Sequence, residues 1–218
     1  MTTEYENLIN SLIKDGYLKT PSIIEAFQKI DRADFVPEEC KGDACVNAPL
    51  PIGYEQTISQ PLTVAFMLEL LEAKPGEKIL DVGSGSGWTC GLLAYLVLRE
   101  GNKKGMVIGI ERIPELKEMA QKNVAKYNFL ENGIVQIINA DGSKGYRKEA
   151  PYDKIIAGAT AKGDVPTYWR KQLKIGGRIV APVENSIIVI DKVAKNKYNQ
   201  REYFGFSFVP LVEADKRG

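Results

Sequence analysis

The sequence predicts an α/β protein: a doubly wound, mostly parallel sheet with an antiparallel edge at its C-terminal end and a helical extension at its N-terminus. Three observations carry this expectation. Short apolar runs alternate with amphipathic segments from Lys78 to about Leu173, the pattern of parallel strands joined by crossover helices. A glycine-rich turn, Gly83 to Gly87, separates the first of these runs from the helix after it. A polar connection joins the last two strands, which calls for antiparallel pairing.

In chain order, the pairs Leu8/Ile9 and Leu12/Ile13 recur at helical spacing from Tyr5 to Lys14, and Asp15-Gly16 stops that helix. Thr20-Pro21 reads as an N-cap with proline at the first helical position, and Ile23, Ile24, Phe27 and Ile30 mark the buried face of a second helix. Asp31 to Pro37 ends it. This leader either packs on the sheet or covers a pocket. From Glu38 to Pro61 periodicity is lost, and Pro49, Pro51, Gly53 and Pro61 argue for a loop. Leu50, Ile52, Tyr54 and Ile58 give that loop too much apolar surface for a solvated linker, so it is expected to fold over something. Pro61 to Ala73 reads as a helix, with Val64, Met67, Leu68 and Leu71 on one face.

The apolar run Ile79, Leu80, Val82 is of the buried parallel-strand type. A helix from Trp88 to about Glu100, a turn in GNKKG and the strand MVIGIE at 106–111 follow. Pro114 opens a helix that runs to near Asn128, with Leu116, Met119, Ala120 and Val124 at core spacing. Strands are expected at Ile134 to Ile138 and Tyr152 to Ala157, a helix at Pro166 to Leu173, and a turn plus strand in KIGGRIVAPV. Ser186 to Val193 and Tyr203 to Val209 complete the strands, joined by the polar KNKYNQRE.

Composition narrows the functional classes. At 218 residues the chain suits one α/β domain with an extension. Lys plus Arg number 29 against 28 acidic residues, so a net charge of +1 provides no overall basic field for nucleic acid. There is no histidine, which removes imidazole bases, Ser/His triads and histidine zinc sites together. Cys40, Cys45 and Cys90 have neither metal-ligand spacing nor an even count, so they read as free thiols in a reducing compartment. No apolar run nears the roughly 20 residues a membrane span needs, and the N-terminus MTTEYEN is neither basic nor apolar. A cytoplasmic protein is expected.

Strand, glycine turn and helix N-terminus together bring backbone N–H groups close to a ligand. The dinucleotide pattern GxGxxG is not met, because Trp88 follows Gly87, and Glu111 lies well beyond the usual acidic position about 20 residues on. The pattern present is DxGxGxG with Asp81, Gly83, Gly85 and Gly87, and an acidic residue, Glu111, closes the next strand. That pair suits S-adenosylmethionine. Glu111 can accept both ribose hydroxyls, and Asp81 can orient the turn or meet the cationic end of the cofactor.

Seven blocks in order, PLPIGYEQTISQP at 49–61, LDVGSGSG at 80–87, IERIPEL at 110–116, NADGSKG at 139–145, PYDKIIAGA at 151–159, LKIGGRIVAPV at 173–183 and FVPL at 208–211, are similar to the protein-L-isoaspartate O-methyltransferase family. The resemblance runs through nearly the whole chain and rests most on the P-L-P-I-G…Q-T-I-S block. It implies a seven-stranded methyltransferase fold, one S-adenosylmethionine-dependent domain over 1–218, with residues 1–61 as N-terminal helices and covering loop and 62–218 as cofactor-binding core and C-terminal strands. It implies methyl transfer to the free α-carboxylate of isoaspartyl residues, whose ester collapses to succinimide and lets damaged protein revert to aspartate. Isoaspartyl-containing proteins or peptides would be the partners of a monomer acting without nucleic acid or membrane.

By the same resemblance, Ser59 and Thr57 serve catalysis. Cofactor contacts fall to Asp81, Gly83, Ser84, Gly85, Gly87, Glu111, Asp141, Gly142, Gln56 and Ile58, with Asp141-Gly142 beside the adenine. Gln60, Val209 and Pro210 line the substrate side. Plainer assignments stand beside these: Thr57 and Ser59 as caps of the helix after Pro61, Asp141 as a turn-former, Val209-Pro210 as an edge strand. A carboxylate acceptor is already ionised at neutral pH, so the transfer needs placement and desolvation more than a base. A histidine-free chain can supply that.

The chain departs from the family twice. Glu55 stands where the block usually reads G-x-G-Q, and Leu62-Thr63 replaces a frequent histidine after Pro61. A Glu55 carboxylate about 5 Å from the acceptor would repel it by roughly 3 kcal/mol at an effective dielectric of about 20. It could equally face solvent or favour the sulfonium. A related methyltransferase using another carboxylate, a small molecule or RNA is therefore the alternative. A non-enzymatic cofactor-binding protein is the third class, against which Thr57-Ile58-Ser59 argues.

Overall fold

The computed structural model describes residues 2–98 and 105–212. Two helices lead: α1 (Thr3–Lys14), capped by the Thr2 hydroxyl accepting the Tyr5 N–H at 3.3 Å, and α2 (Pro21–Lys29). Pro21 opens α2 as expected, but the Thr20 side chain does not cap it. The Thr20 hydroxyl donates instead to Glu69 at 2.7 Å, tying this corner to a later helix. A short 3-10 turn at Arg32–Phe35 and another at Glu38–Asp43 follow.

The stretch expected to be loop from Glu38 to Pro61 holds a β-hairpin, β1 (Leu50–Gly53) paired antiparallel with β2 (Gln56–Ile58). Its two turn residues, Tyr54 and Glu55, have φ of 54° and 58°. A two-residue hairpin turn needs that left-handed geometry, and sequence signals it by Asn-Gly or Asp-Gly, which this turn lacks. Ile52 and Ile58 are buried, so the hairpin does fold over the body of the molecule.

The main sheet has seven strands: β3 (Lys78–Val82), β4 (Met106–Glu111), β5 (Val135–Asn139), β6 (Tyr152–Ala157), β7 (Leu173–Val183), β8 (Ser186–Ala194) and β9 (Lys197–Phe204). The order is β5-β4-β3-β6-β7-β8-β9, parallel as far as β7, with β8 and β9 antiparallel. The remaining helices are α3 (Pro61–Leu71), α4 (Trp88–Val97), α5 (Pro114–Ala125) and α6 (Thr167–Gln172). Alternation along β3 sends Ile79 and Asp81 toward α4, while Leu80 and Val82 enter the core on the opposite face with Trp169. Chain direction diverges between β3 and β6, which opens a crevice at the C-terminal ends of these strands.

Three boundaries differ from expectation. Gly176-Gly177 is not a turn: β7 begins at Leu173, and the glycines lie where the β6–β7 register shifts, with Gly177 so close that a Cβ would meet the Asp153 carbonyl at 2.7 Å. The polar KNKYNQRE is mostly strand β9, since a two-sided edge strand needs no apolar alternation. The strand expected from Tyr203 to Val209 therefore ends at Phe204, and residues 205–209 run on without regular structure. The turn expected in GNKKG, and the helix end at about Glu100, lie largely outside the described residues.

Candidate functional site

The glycine turn is fixed by backbone bonds. The N–H groups of Gly83 and Ser84 donate to the Ile110 carbonyl at 2.8 and 3.0 Å, and Gly87 N–H donates to the Ser84 carbonyl at 2.8 Å. Gly83, Gly85 and Gly87 all have positive φ, which side-chain-bearing residues adopt at a cost. Glu111, at the end of β4, faces this turn almost fully buried. One carboxylate oxygen accepts from Gly85 N–H at 2.9 Å and the other from Ile113 N–H at 3.0 Å. Each oxygen keeps a further lone pair. Behind it, the Asn139 amide donates to the carbonyls of Glu111 and Arg112 at 2.9 and 3.0 Å.

Two cavities open above the strand ends. The first, about 620 Å³ including space open to solvent, is walled by Gly83 and Gly85, Glu111 and Ile113, Gly142, Gly158-Ala159, and Ile52, Gln56 and Thr57 of the hairpin. Val209 to Val212 close its remaining side. The second, about 740 Å³ on the same basis, is walled by Pro49, Thr57, Ser59, Gln60, Thr63, Gly158 and Ser207 to Val209. Thr57, Gly158 and Val209 belong to both. The C-terminal segment is held by two backbone bonds, Thr160 N–H to the Val209 carbonyl and Leu211 N–H to the Thr160 carbonyl, each at 2.8 Å.

Of the residues singled out from the sequence, Gly83, Gly85, Glu111, Gly142, Gln56, Thr57, Val209 and Pro210 meet at the first cavity. Thr57, Ser59, Gln60 and Val209 meet at the second. Asp81, Ser84, Gly87, Ile58 and Asp141 wall neither. Asp81 is sealed behind Ser59 on a smaller cavity that also touches Thr89, and it accepts from the Cys90 thiol at 3.1 Å. Burial pushes its carboxyl up to about 7. The buried Ser84 hydroxyl has no partner among the described residues. Gly87 is set by packing, since a Cβ there would meet Ala120 at 3.1 Å. Ile58 is a core residue. Asp141 acts as the turn-former, its carboxylate accepting from the Ser143 amide and hydroxyl at 3.0 and 2.7 Å.

The helix after Pro61 is capped neither by Thr57 nor by Ser59: the Leu62 N–H donates to the Asn47 side chain at 3.0 Å. Glu55 is exposed at the hairpin tip and walls neither cavity. Sequence reasoning missed Asn47, Asn139, Gly158 and Trp169, whose indole N–H holds the Gly142 carbonyl at 2.8 Å. Only Gly158 had a visible signal, as a glycine directly after the apolar strand Tyr152–Ala157.

A family model described as Protein-L-isoaspartate(D-aspartate) O-methyltransferase (PCMT) matches residues 3–216. The chain is 41% identical over 211 residues to the Protein-L-isoaspartate O-methyltransferase of Methanopyrus kandleri, covering 95% of this chain and 90% of that one. To the protein of the same description from Ignicoccus hospitalis it is 43% identical over 219 residues, covering 99% and 100%. Among solved structures, a Plasmodium falciparum protein described as a protein-L-isoaspartate O-methyltransferase in complex with S-adenosyl-L-homocysteine superposes with a TM-score of 0.86 at 26% identity, covering 96% of this chain and 99% of that one.

Proposed function

The chain belongs to the protein-L-isoaspartate (D-aspartate) O-methyltransferase family, and from that premise we propose that it methylates the free α-carboxylate of L-isoaspartyl residues in damaged proteins, using S-adenosylmethionine. The observation that carries this function is the pair of cavities divided by Thr57, Gly158 and Val209. A donor and an acceptor can each have a compartment and still meet where these three residues line both.

The first cavity fits the cofactor. S-adenosylmethionine supplies a methyl group already activated by its sulfonium. Glu111 is held by two backbone amides with lone pairs to spare, so it presents acceptors for ribose hydroxyls without rearrangement. Gly83 and Gly85 let the cavity reach the backbone, and a Cβ at Gly85 would press on Ile52 at 3.3 Å. Gly142, fixed by Trp169, forms the adenine side. The unpartnered Ser84 hydroxyl is a donor in reserve beneath the turn. Asp81, buried against Cys90, supports the turn from behind.

The second cavity takes the acceptor. Its carboxylate arrives ionised, so Ser59, Thr57 and Gln60 need only hold it in line and keep water away. Val209 and Phe208 supply the apolar flank along which an extended peptide lies. Glu55 at the exposed tip leaves the acceptor cavity free of a competing carboxylate, which answers one of the two departures that argued for a different substrate; the other stays at the site, where Thr63 walls the acceptor cavity.

The shared walls contributed by residues 49–60 and 205–212 support treating 1–218 as one catalytic domain. Among the described residues no helix is long and apolar enough to cross a membrane, and the three cysteines are free. A cytoplasmic monomer is our assignment. The test is methyl transfer from labelled S-adenosylmethionine to two synthetic peptides that differ only in one aspartyl or isoaspartyl linkage. Base-labile label on the isoaspartyl peptide alone is expected, and equal label on both would reject the repair function.

A further inference from the structure

Arg32 walls neither cavity, yet its side chain is fully buried. Its Nη1 donates to the carbonyls of Ala44 and Val46, both at 3.0 Å, and its Nη2 to those of Ala48 and Ser59 at 2.8 and 3.1 Å. Among the described residues no carboxylate is hydrogen-bonded to it: both Nη atoms are directed at backbone oxygens, in bonds of the stronger, charge-assisted kind, while the buried Nε has no partner among the described residues. Burial lowers its pKa to about 10, which leaves it charged at neutral pH. The guanidinium carbon lies 5.5 Å from the centre of the Trp88 ring. Trp88 is the first residue of α4, next to Gly87. The segment bearing Arg32 is itself pinned: the Ile30 carbonyl accepts from the Tyr5 hydroxyl at 3.3 Å and the Trp88 indole at 3.5 Å, and Asp31 N–H donates to the Tyr127 oxygen at 3.0 Å.

We propose that Arg32 is a positioning residue for methyl transfer, a single buried guanidinium that joins the loop carrying Ser59 to the helix that begins at the glycine turn. The assignment rests on the acceptor role given to Ser59 above. One wall of the reaction space is built on that turn and the other on Ser59, so their separation sets the reach from donor to acceptor. A misplacement of about 1 Å costs on the order of 100-fold in rate. Lysine cannot take over, because one ammonium lacks the flat fork that spans carbonyls from residues 44 to 59.

The experiment compares wild type with Arg32→Met and Arg32→Lys, and with Arg178→Met as a control. Arg178 is also anchored by several bonds, to the Leu70 carbonyl, Glu72 and Asp191, but walls neither cavity. Each protein is assayed below its melting temperature for kcat and KM on the isoaspartyl peptide, for S-adenosylhomocysteine affinity by calorimetry, and for amide exchange over residues 44–60 and 78–84. Both Arg32 variants are expected to lose about 10- to 100-fold in kcat with affinity kept within about threefold, and exchange is expected to rise only over 44–60. Arg178→Met should lose melting temperature and keep kcat within about twofold. Unchanged exchange over 44–60, a kcat within about twofold of wild type, or an equal kcat loss in Arg178→Met would overturn the assignment. Should Arg32→Met fail to fold, Arg32→Lys carries the same readouts. A wild type that methylates neither peptide would reject the isoaspartyl function, and the exchange result would then decide Arg32 by itself.

Discussion

The two walls of the site are made in different ways. The donor wall, from β3 through the glycine turn to Glu111, is held by bonds among residues 83–113 on adjacent parallel strands. The acceptor wall, residues 47–60, has only the short β1–β2 pairing of its own and is otherwise held from outside by Arg32, by packing of Ile52 near Gly85, and by the Asn47 cap on α3. A wall whose bonds close on its own residues keeps its shape when the rest of the molecule is perturbed. A wall hung on distant anchors can be displaced without any change in its own residues.

The largest effect that sharpens this contrast lies beneath the donor wall. Asp81 in the folded protein holds its proton up to about pH 7, whereas the unfolded carboxyl loses it near 4. Between these values the native state binds the extra proton, so the stability that Asp81 contributes is present at low pH and is lost as pH rises from about 4 to about 7. Chemical denaturation across that range should show the fall in the wild type and a clearly shallower profile in Asp81→Asn. An equal slope in both would mean that Asp81 is ionised in the fold.

Next comes Glu111→Ala, which strips the acceptors from the Gly85 and Ile113 amides and, on the proposed binding mode, from the ribose. Cofactor affinity should weaken by about 100-fold by calorimetry. Ser59→Ala, on the other wall, should lower turnover by roughly tenfold and leave cofactor affinity within about twofold. Equal effects of both substitutions on cofactor affinity would merge the two walls into one. The smallest effect concerns the hairpin tip. Replacing Tyr54-Glu55 by Asn-Gly suits the left-handed turn and should add about 1 kcal/mol of stability without changing isoaspartyl turnover. A large change in turnover would show that the tip itself shapes the acceptor wall.

The same contrast explains what could be read from the sequence. The run Ile79 to Val82 and the alternating glycines carry their meaning within a few residues, and Glu111 closes the next apolar run, MVIGIE, so the central strands and the donor wall were legible. Hairpin β1–β2 was not, because its turn uses Tyr54 and Glu55 in place of glycine and asparagine. Arg32 looked like part of a helix end, and nothing near it in sequence announces carbonyl partners as far away as Ser59. Asn47 and Trp169 act at similar distances, 15 and 27 residues from their partners. Strand β9 was shifted because an exposed edge imposes no apolar alternation, and Gly176-Gly177 resembles a turn until pairing with β6 shows the irregularity they fill.

Gly158 borders the donor cavity, the acceptor cavity and the small space beside Asp81, and a Cβ there would sit 2.9 Å from the Gly83 carbonyl. Its position answers to two cavities and to its own backbone neighbour at once, so a change there has no single partner that could adapt. Descendants of this sequence that acquire new acceptors must therefore vary the hairpin and the C-terminal segment and leave this glycine in place. The freedom to diverge lies at the rim of the site.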